Sequence, residues 1–177
     1  MKRHFFLIFF LFLVSNSIFG QKFGYVDTNY ILGQMPEFAG AQQEIEKVSL
    51  AWQDEIKDKQ KEIDAMYSAL QAEEVLLTEA MKKQRLAEIK KKEEELKEYQ
   101  KQVFGFEGLF FLKQQEILQP VQEKVFEAVE TVAVKQKLQI VFDKAGGLTM
   151  IYTNPVHDYT DYVLEELGLG DKTDTIK

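Results

Sequence analysis

The chain has 177 residues, a net charge of −7, 29% charged and 45% hydrophobic residues, and no cysteine. This composition excludes an intrinsically disordered chain and a protein built mainly of membrane-spanning segments. The acidic balance argues against general nucleic-acid binding, which needs a basic surface. The absence of cysteine excludes disulfides, zinc–thiolate sites and thiol nucleophiles.

Residues 1–20 have the pattern of a cleaved signal peptide. Lys2 and Arg3 precede an apolar run over residues 5–14, which is too short to span a bilayer, and Gly20 is a small residue suited to cleavage. We therefore expect an exported chain that begins near Gln21. Without Lys2 and Arg3, 20 basic residues remain against 29 acidic ones, a charge of about −9. The alternative is an uncleaved anchor, which the short apolar run disfavours.

A short strand and a turn of helix are predicted between residues 21 and 36. Residues 23–27 are rich in strand-forming side chains, and residues 28–32 fit one helical turn. Gly33 and Pro36 interrupt the pattern before the next helix.

Residues 37–136 are predicted to be almost continuous helix. The first half has apolar residues at spacings of three, four and seven, as in the narrow seam of a coiled coil. That seam comprises Ile45, Val48, Trp52, Ile56, Ile63, Met66 and Leu70, and a second comprises Leu86, Ile89, Leu96, Tyr99 and Val103. The strands that flank the helical stretch can pair only if the chain returns. We therefore expect an antiparallel hairpin about 60 Å long at 1.5 Å per residue.

The hairpin turn is predicted within residues 74–79, because the Thr78 hydroxyl can cap a new helix. A single unbroken helix is the alternative. Val75, Leu76 and Leu77 would lie at the tip of the hairpin. We expect them to fold inward and close it; exposed, they could instead bind apolar segments of a partner.

Two features are predicted to interrupt or bend the returning helix. Gly105 and Gly108 cost the helix about 2 kcal/mol relative to alanine, which predicts a kink or loop. Pro120 removes one backbone hydrogen bond and predicts a bend. The aromatic residues near these glycines are Phe104, Phe106, Phe110 and Phe111. We expect this cluster to pack against Trp52; the alternative is a surface for apolar partner segments.

The C-terminal part is predicted to be compact. Residues 138–142 and 148–152 fit two strands around a turn at 143–147, and Asn154-Pro155 ends the second. Asp158 is expected to cap a last helix, with Asp161 reaching back, and this helix ends at Gly168. With residues 21–36, residues 137–170 would form a small β-containing body, followed by a tail at 171–177.

The sequence shows no catalytic or cofactor site. His157 is the only histidine after cleavage and has no second histidine or cysteine with which to bind a metal. There is no glycine-rich phosphate loop, nucleophile elbow or catalytic triad. We therefore expect a protein that is not an enzyme and needs no cofactor.

In their order along the chain, these elements resemble the OmpH/Skp family of periplasmic chaperones. The residues that carry the resemblance are Phe23-Gly24-Tyr25-Val26-Asp27, Leu138–Asp143 and the segment with Asn154, Pro155, Asp158, Thr160, Asp161, Val163 and Leu164. The resemblance implies a mostly α-helical α+β fold and a homotrimer, with three helical arms around a cavity. It also implies a periplasmic holdase that keeps unfolded outer-membrane proteins from aggregating without ATP.

Three sets of residues follow from that resemblance. Client contacts would come from Leu76, Leu77, Phe104, Phe106, Phe110 and Phe111, and hinges from Gly105, Gly108 and Pro120. The tip of the hairpin, locally about +2, carries Lys82, Lys83, Arg85, Lys90, Lys91 and Lys92. It could meet a membrane or lipopolysaccharide, although this chain is acidic where well-known members are basic. The alternatives are a solvated face with ion pairs for the tip and a structural coiled-coil spacer for the protein.

Overall fold

The computed structural model describes residues 21–147 and 150–170. Its elements in chain order are β1 (Phe23–Val26), α1 (Thr28–Gln34), α2 (Pro36–Glu73), α3 (Glu79–Phe104), α4 (Leu109–Gln136), β2 (Ile140–Asp143), a 3-10 turn (Pro155–His157) and α5 (Thr160–Glu166). The predicted mostly helical fold with a small strand pair is confirmed. The expected signal peptide, the tail at 171–177 and two residues of the predicted strand at 148–152 lie outside the described residues.

The chain divides into two compact units. A helical unit holds residues 32–124, and a body unit holds the described residues before 32 and after 124.

In the body unit, β1 and β2 form a parallel pair in which Phe23 lies opposite Ile140 and Val26 opposite Asp143. The pairing of these two segments is therefore confirmed, but β2 begins at Ile140 rather than at residue 138. The reason is the end of α4: Leu138 N–H donates to Ala133 O and Lys137 N–H to Val134 O. Lys137 takes the left-handed conformation with φ 57°. Leu138 thus closes the helix and is buried there instead of entering the strand.

The predicted strand at 148–152 is wrong over its described part. Residues 150–152 form no ladder, and Ile151 and Tyr152 are exposed. The backbone of β1 is used differently: Tyr25 forms a parallel bridge with Asp158, and its carbonyl accepts from Tyr159 N–H at 2.8 Å. Residues 158–159 therefore pair with β1 in place of the strand predicted at 148–152.

These segments are joined by the side chains of Thr28, Asp143 and Thr160. The Thr160 hydroxyl accepts from Asp27 N–H at 3.0 Å and donates to Asp158 Oδ1 at 2.6 Å. Asp143 accepts from Thr28 N–H at 3.2 Å and from the Thr28 hydroxyl at 2.7 Å. The bonds to Asp27 and Thr28 each link parts of the chain more than 100 positions apart. The bond to Asp158 orients the Thr160 hydroxyl that accepts one of them.

The start of α5 differs in detail from the predicted cap. Asp158 accepts from Thr160 N–H at 2.9 Å, but Tyr159 occupies the N-cap position. No bond in which Asp161 reaches back is seen among the described residues. The predicted end is confirmed, because Gly168 has φ 75° and Leu169 N–H donates to Leu164 O.

In the helical unit, α2 and α3 run antiparallel. Tyr99 near the end of α3 bonds Glu55 in the middle of α2, and Tyr67 near the end of α2 bonds Glu93 in the middle of α3. Ile63, Ile89 and Leu96 form a buried cluster between the helices, with Ile56, Met66 and Leu70 packed against it. Six residues of the two predicted seams form this contact, whereas Leu86 is 40% exposed.

Residues 74–78 connect α2 to α3. The predicted cap is confirmed, since Thr78 Oγ1 accepts from Met81 N–H at 3.3 Å. The second predicted break is also present, because α3 ends at Phe104 and α4 begins at Leu109. Helix α4 continues through Pro120, and a bend at that residue stays a prediction.

Candidate functional site

The junction between α3 and α4 carries a cluster of aromatic rings. Trp52 of α2 meets Phe104 and Phe110 edge to face, with centroid distances of 6.4 and 6.3 Å, and the two Phe rings lie 5.5 Å apart. The predicted packing against Trp52 is therefore correct for Phe104 and Phe110. We call these three residues the aromatic trio.

The four-residue loop of the junction has close backbone contacts at its two glycines and one left-handed residue. A Cβ on Gly105 would collide with Lys101 O, and one on Gly108 would lie 2.6 Å from Val103 O. Glu107 takes the left-handed conformation with φ 51°. The glycines are thus required by close backbone approach rather than by positive φ. The one left-handed residue in this loop is Glu107, which sequence reasoning did not single out.

Phe106 extends into solvent from this loop and is 95% exposed. It does not pack against Trp52, so the predicted packing fails for this residue, and Phe111 is also exposed, at 42%. Leu109 and Leu112 are exposed beside them, although the sequence analysis did not select them. The uninterrupted run Leu109-Phe110-Phe111-Leu112 was a usable signal, because one helical face cannot bury four successive apolar side chains.

The tip of the hairpin exposes apolar side chains. Val75 is 95% and Leu76 84% exposed, whereas Leu77 is half-buried. The prediction that this segment folds inward is therefore wrong for its first two residues. The reason is a tight turn, in which Leu76 N–H donates to Glu73 O at 2.8 Å and directs both side chains away from the helices.

The basic residues near the tip lie mostly against carboxylates. Lys82 is 3.1 Å from Glu79, and Lys92 is 3.1 Å from Glu62 across the helix pair. The Glu62 hydrogen bond raises the pKa of Lys92. Two further pairs, Arg85–Glu73 and Lys91–Glu95, are looser at 3.7 and 3.8 Å. Within the described residues Lys83 and Lys90 are in no ion pair. Four of the six basic residues predicted at the tip therefore fit the alternative of a solvated face with ion pairs.

The body unit has an apolar cavity of about 420 Å³. Its lining includes Phe23 and Phe142 of the strand pair, together with Met150, Tyr152 and His157. The His157 ring lies 4.7 Å from the Phe23 ring, which gives this histidine a packing role. Among residues 21–147 and 150–170, no three His, Cys, Asp or Glu side chains are grouped as metal ligands would be.

The sequence profile of the OmpH family, described as Outer membrane protein (OmpH-like), matches residues 22–167. The chain belongs to the OmpH family. An uncharacterized protein of Aquifex aeolicus (strain VF5) is 32% identical over 155 residues, which cover 88% of this chain and 91% of the relative.

The family fold also appears among solved structures. The crystal structure of an OmpH-like protein from Caulobacter crescentus CB15 superposes with a TM-score of 0.69, covers 89% of this chain and 90% of its own, and shares 16% identity. Likeness at this identity establishes a shared fold. None of the helices in the described part of this OmpH family chain is long and apolar enough to cross a membrane.

Proposed function

We propose that the protein is an ATP-independent holdase of the periplasm that binds unfolded outer-membrane proteins and prevents their aggregation before insertion. The observation that carries this proposal is the exposed apolar surface at the α3–α4 junction, formed by Phe104, Phe106, Leu109, Phe111 and Leu112. A group of exposed apolar side chains on an otherwise polar helix pair is typical of an interaction surface.

Family membership supports the same proposal. The Caulobacter crescentus protein is described as a candidate outer membrane chaperone, and its fold is shared over most of this chain. A holdase needs no chemistry: by mass action, preferential binding to the unfolded state is sufficient. This is consistent with a protein that is not an enzyme and uses neither metal nor cofactor.

The proposed active form is a homotrimer, in which three bodies assemble and three helical arms enclose the client. Support comes from the body unit, where the exposed Phe23 and Phe142 line the cavity and Ile140 is exposed beside them. Within the described residues these side chains belong to a sheet of two strands. Such a small sheet with apolar edges gains stability when another surface covers it. Gly105, Gly108 and Pro120 are the proposed hinges of the arm.

Contact of the arm tip with a membrane or lipopolysaccharide is a separate part of the proposal. The exposed Val75 and Leu76 favour it. Lys83 and Lys90 also favour it, since they are in no ion pair with the described residues. The ion pairs of Lys82, Arg85, Lys91 and Lys92 weaken it, because they neutralise positive charge that anionic headgroups would otherwise attract.

The decisive experiment uses the chain from Gln21 onward. Its mass is measured by light scattering, and it is added to a urea-unfolded outer-membrane β-barrel protein while aggregation is followed by turbidity. We expect a trimer that suppresses aggregation without ATP. A monomer that leaves aggregation unchanged would contradict the proposal and favour a structural spacer.

A matched pair of variants locates the client surface. Phe106→Gln removes the exposed junction ring, and Phe126→Gln removes a ring that is 70% exposed in the body part of α4. Both should fold as the parent does, since neither ring is buried. Phe106→Gln should weaken suppression several-fold and Phe126→Gln should not; equal effects would place the client elsewhere.

A further inference from the structure

The aromatic trio lies apart from the main packing between α2 and α3. The buried cluster there consists of Ile63, Ile89 and Leu96, whereas Trp52 and Phe110 are only half-buried and Phe104 is 39% exposed. The rings of the trio therefore cover one another at the surface. Their separation from one another would expose aromatic area without opening the helix pair at its core.

Trp52 is the side chain that bridges the junction. Phe104 is the last residue of α3 and Phe110 is the second residue of α4, and the Trp52 ring meets both edge to face. Only four loop residues separate the two helices. The Trp52 contacts thus restrain the angle between α3 and α4 in addition to covering the two Phe rings.

The loop places the exposed Phe106 next to this restraint. Phe106 is two positions from Phe104, and the left-handed Glu107 follows it. A client segment on Phe106 would lie beside rings that are held only by aromatic contacts, which are individually weak.

We propose that Trp52, Phe104 and Phe110 form a latch that opens when an apolar client segment binds Phe106. Opening releases the angle between α3 and α4 and adds the rings of Phe104 and Phe110 to the client surface, whereas Trp52 loses both partners and faces solvent, as in a cryptic site that a ligand makes dominant. This inference rests on the proposed holdase function, because it names the rings that a client segment would uncover.

Two sequence features allow a direct test. The chain has a single tryptophan and no cysteine. Trp52 fluorescence therefore reports the latch alone, and the exposed Glu94 and Gln115 can be replaced as Glu94→Cys and Gln115→Cys for spin labels on α3 and α4. The client probe is a urea-unfolded β-barrel protein whose tryptophans have been replaced by phenylalanine.

In the free protein, the labels should show a narrow distance distribution. Trp52→Leu and the milder Phe110→Leu should each broaden it, while Phe106→Gln should leave it narrow. A narrow distribution in Phe110→Leu, with helix content unchanged, would overturn the latch. This measurement on the free protein tests whether Trp52 restrains the angle between α3 and α4, whether or not the chain holds a client.

With the client added, acrylamide quenching of Trp52 should rise by about twofold or more as the ring loses its partners. The distance distribution should broaden at the same time. A client that is held, as shown by suppressed aggregation, while Trp52 stays protected would overturn opening of the latch and leave the holdase function standing. Failure to suppress aggregation would instead reject the holdase function, and with it opening by a client.

Discussion

The Tyr99 hydroxyl on α3 donates a hydrogen bond of 2.5 Å to the Glu55 carboxylate on α2. Lys59 completes this group, with its Nζ 3.7 Å from Glu55 and 5.0 Å from the centre of the Tyr99 ring. A second bond, from Tyr67 to Glu93, crosses the pair alongside the buried cluster. Polar contacts at defined positions of a helix pair fix its register, which the apolar seam alone leaves less determined.

Replacement of Tyr99 by phenylalanine should destabilise the helical unit. The variant loses one cross-helix hydrogen bond on a partly exposed site, so the free energy of unfolding should fall by about 1 kcal/mol. Urea denaturation followed by circular dichroism measures this loss. Tyr30→Phe is the control, since its ring is exposed and its change should be close to zero; equal losses would contradict the role of Glu55.

Stability should also depend on alkaline pH through the same contact. The hydrogen bond to Glu55, with smaller effects of burial and charge, raises the pKa of Tyr99 from 10.0 to about 12. The protonated tyrosine is therefore favoured in the folded state, and its contribution is complete below pH 10 and lost as the pH rises towards 12. The stability difference between parent and Tyr99→Phe should shrink over that window. A constant difference from pH 8 to 11.5 would rule this out.

Gly105→Ala and Gly108→Ala should each destabilise the protein. An added Cβ would meet the backbone carbonyl of Lys101 or Val103, and the shift needed to relieve this contact costs about 1–3 kcal/mol. Gly40→Ala is the matched control, because it lies within α2 with open space around its Cβ. It should stabilise by about 0.5–1 kcal/mol. Thermal melting distinguishes the junction variants from the control. A gain in stability in all three variants would show that the junction is not tight.

Thr160→Val should destabilise the body unit. The substitution keeps the shape of a buried side chain but leaves Asp27 N–H without its acceptor, at a cost of about 2 kcal/mol. Thr160→Ser retains the hydroxyl and should lose less than half as much. Guanidinium denaturation of the chain from Gln21 onward gives both values, and equal losses would assign the effect to packing alone.

Lys137→Gly should stabilise the protein. Lys137 has φ 57° at the end of α4, a conformation that costs most L-residues about 1 kcal/mol and glycine very little. We expect a gain of about 0.5–1 kcal/mol, and Lys137→Ala should give none. A loss in the glycine variant would mean that the Lys137 side chain makes contacts that outweigh the backbone cost.

Periodicity and capping chemistry predicted most of the helical unit. The seam through Ile63, Ile89 and Leu96, the cap at Thr78 and the break at Gly105 each have a local signal in the sequence. The left-handed Glu107 and Lys137 have none, because their side chains are not typical of that conformation. The exposure of Val75 and Leu76 depends on the direction of one turn, and apolar character alone wrongly predicted burial.

In the body unit, local signals were less informative because the partners are distant in sequence. Residues 148–152 have the composition of a strand, yet Tyr25 pairs with Asp158 instead. Of the candidate site, the packing of Phe104 and Phe110 was predictable, whereas the isolation of Phe106 depends on the loop geometry and was not.

The parallel pairing of β1 with β2 has a consequence for the order of folding. Phe23 lies opposite Ile140, 117 positions later, whereas α2 and α3 meet through a connection of five residues. Contacts between neighbours in sequence form quickly, and those that close a long loop form slowly. The helix pair can therefore assemble while the chain is still being synthesised, but the first strand must wait for nearly all of it. A chain that is cut short between residues 137 and 139 would keep α1 to α4 and never complete its sheet.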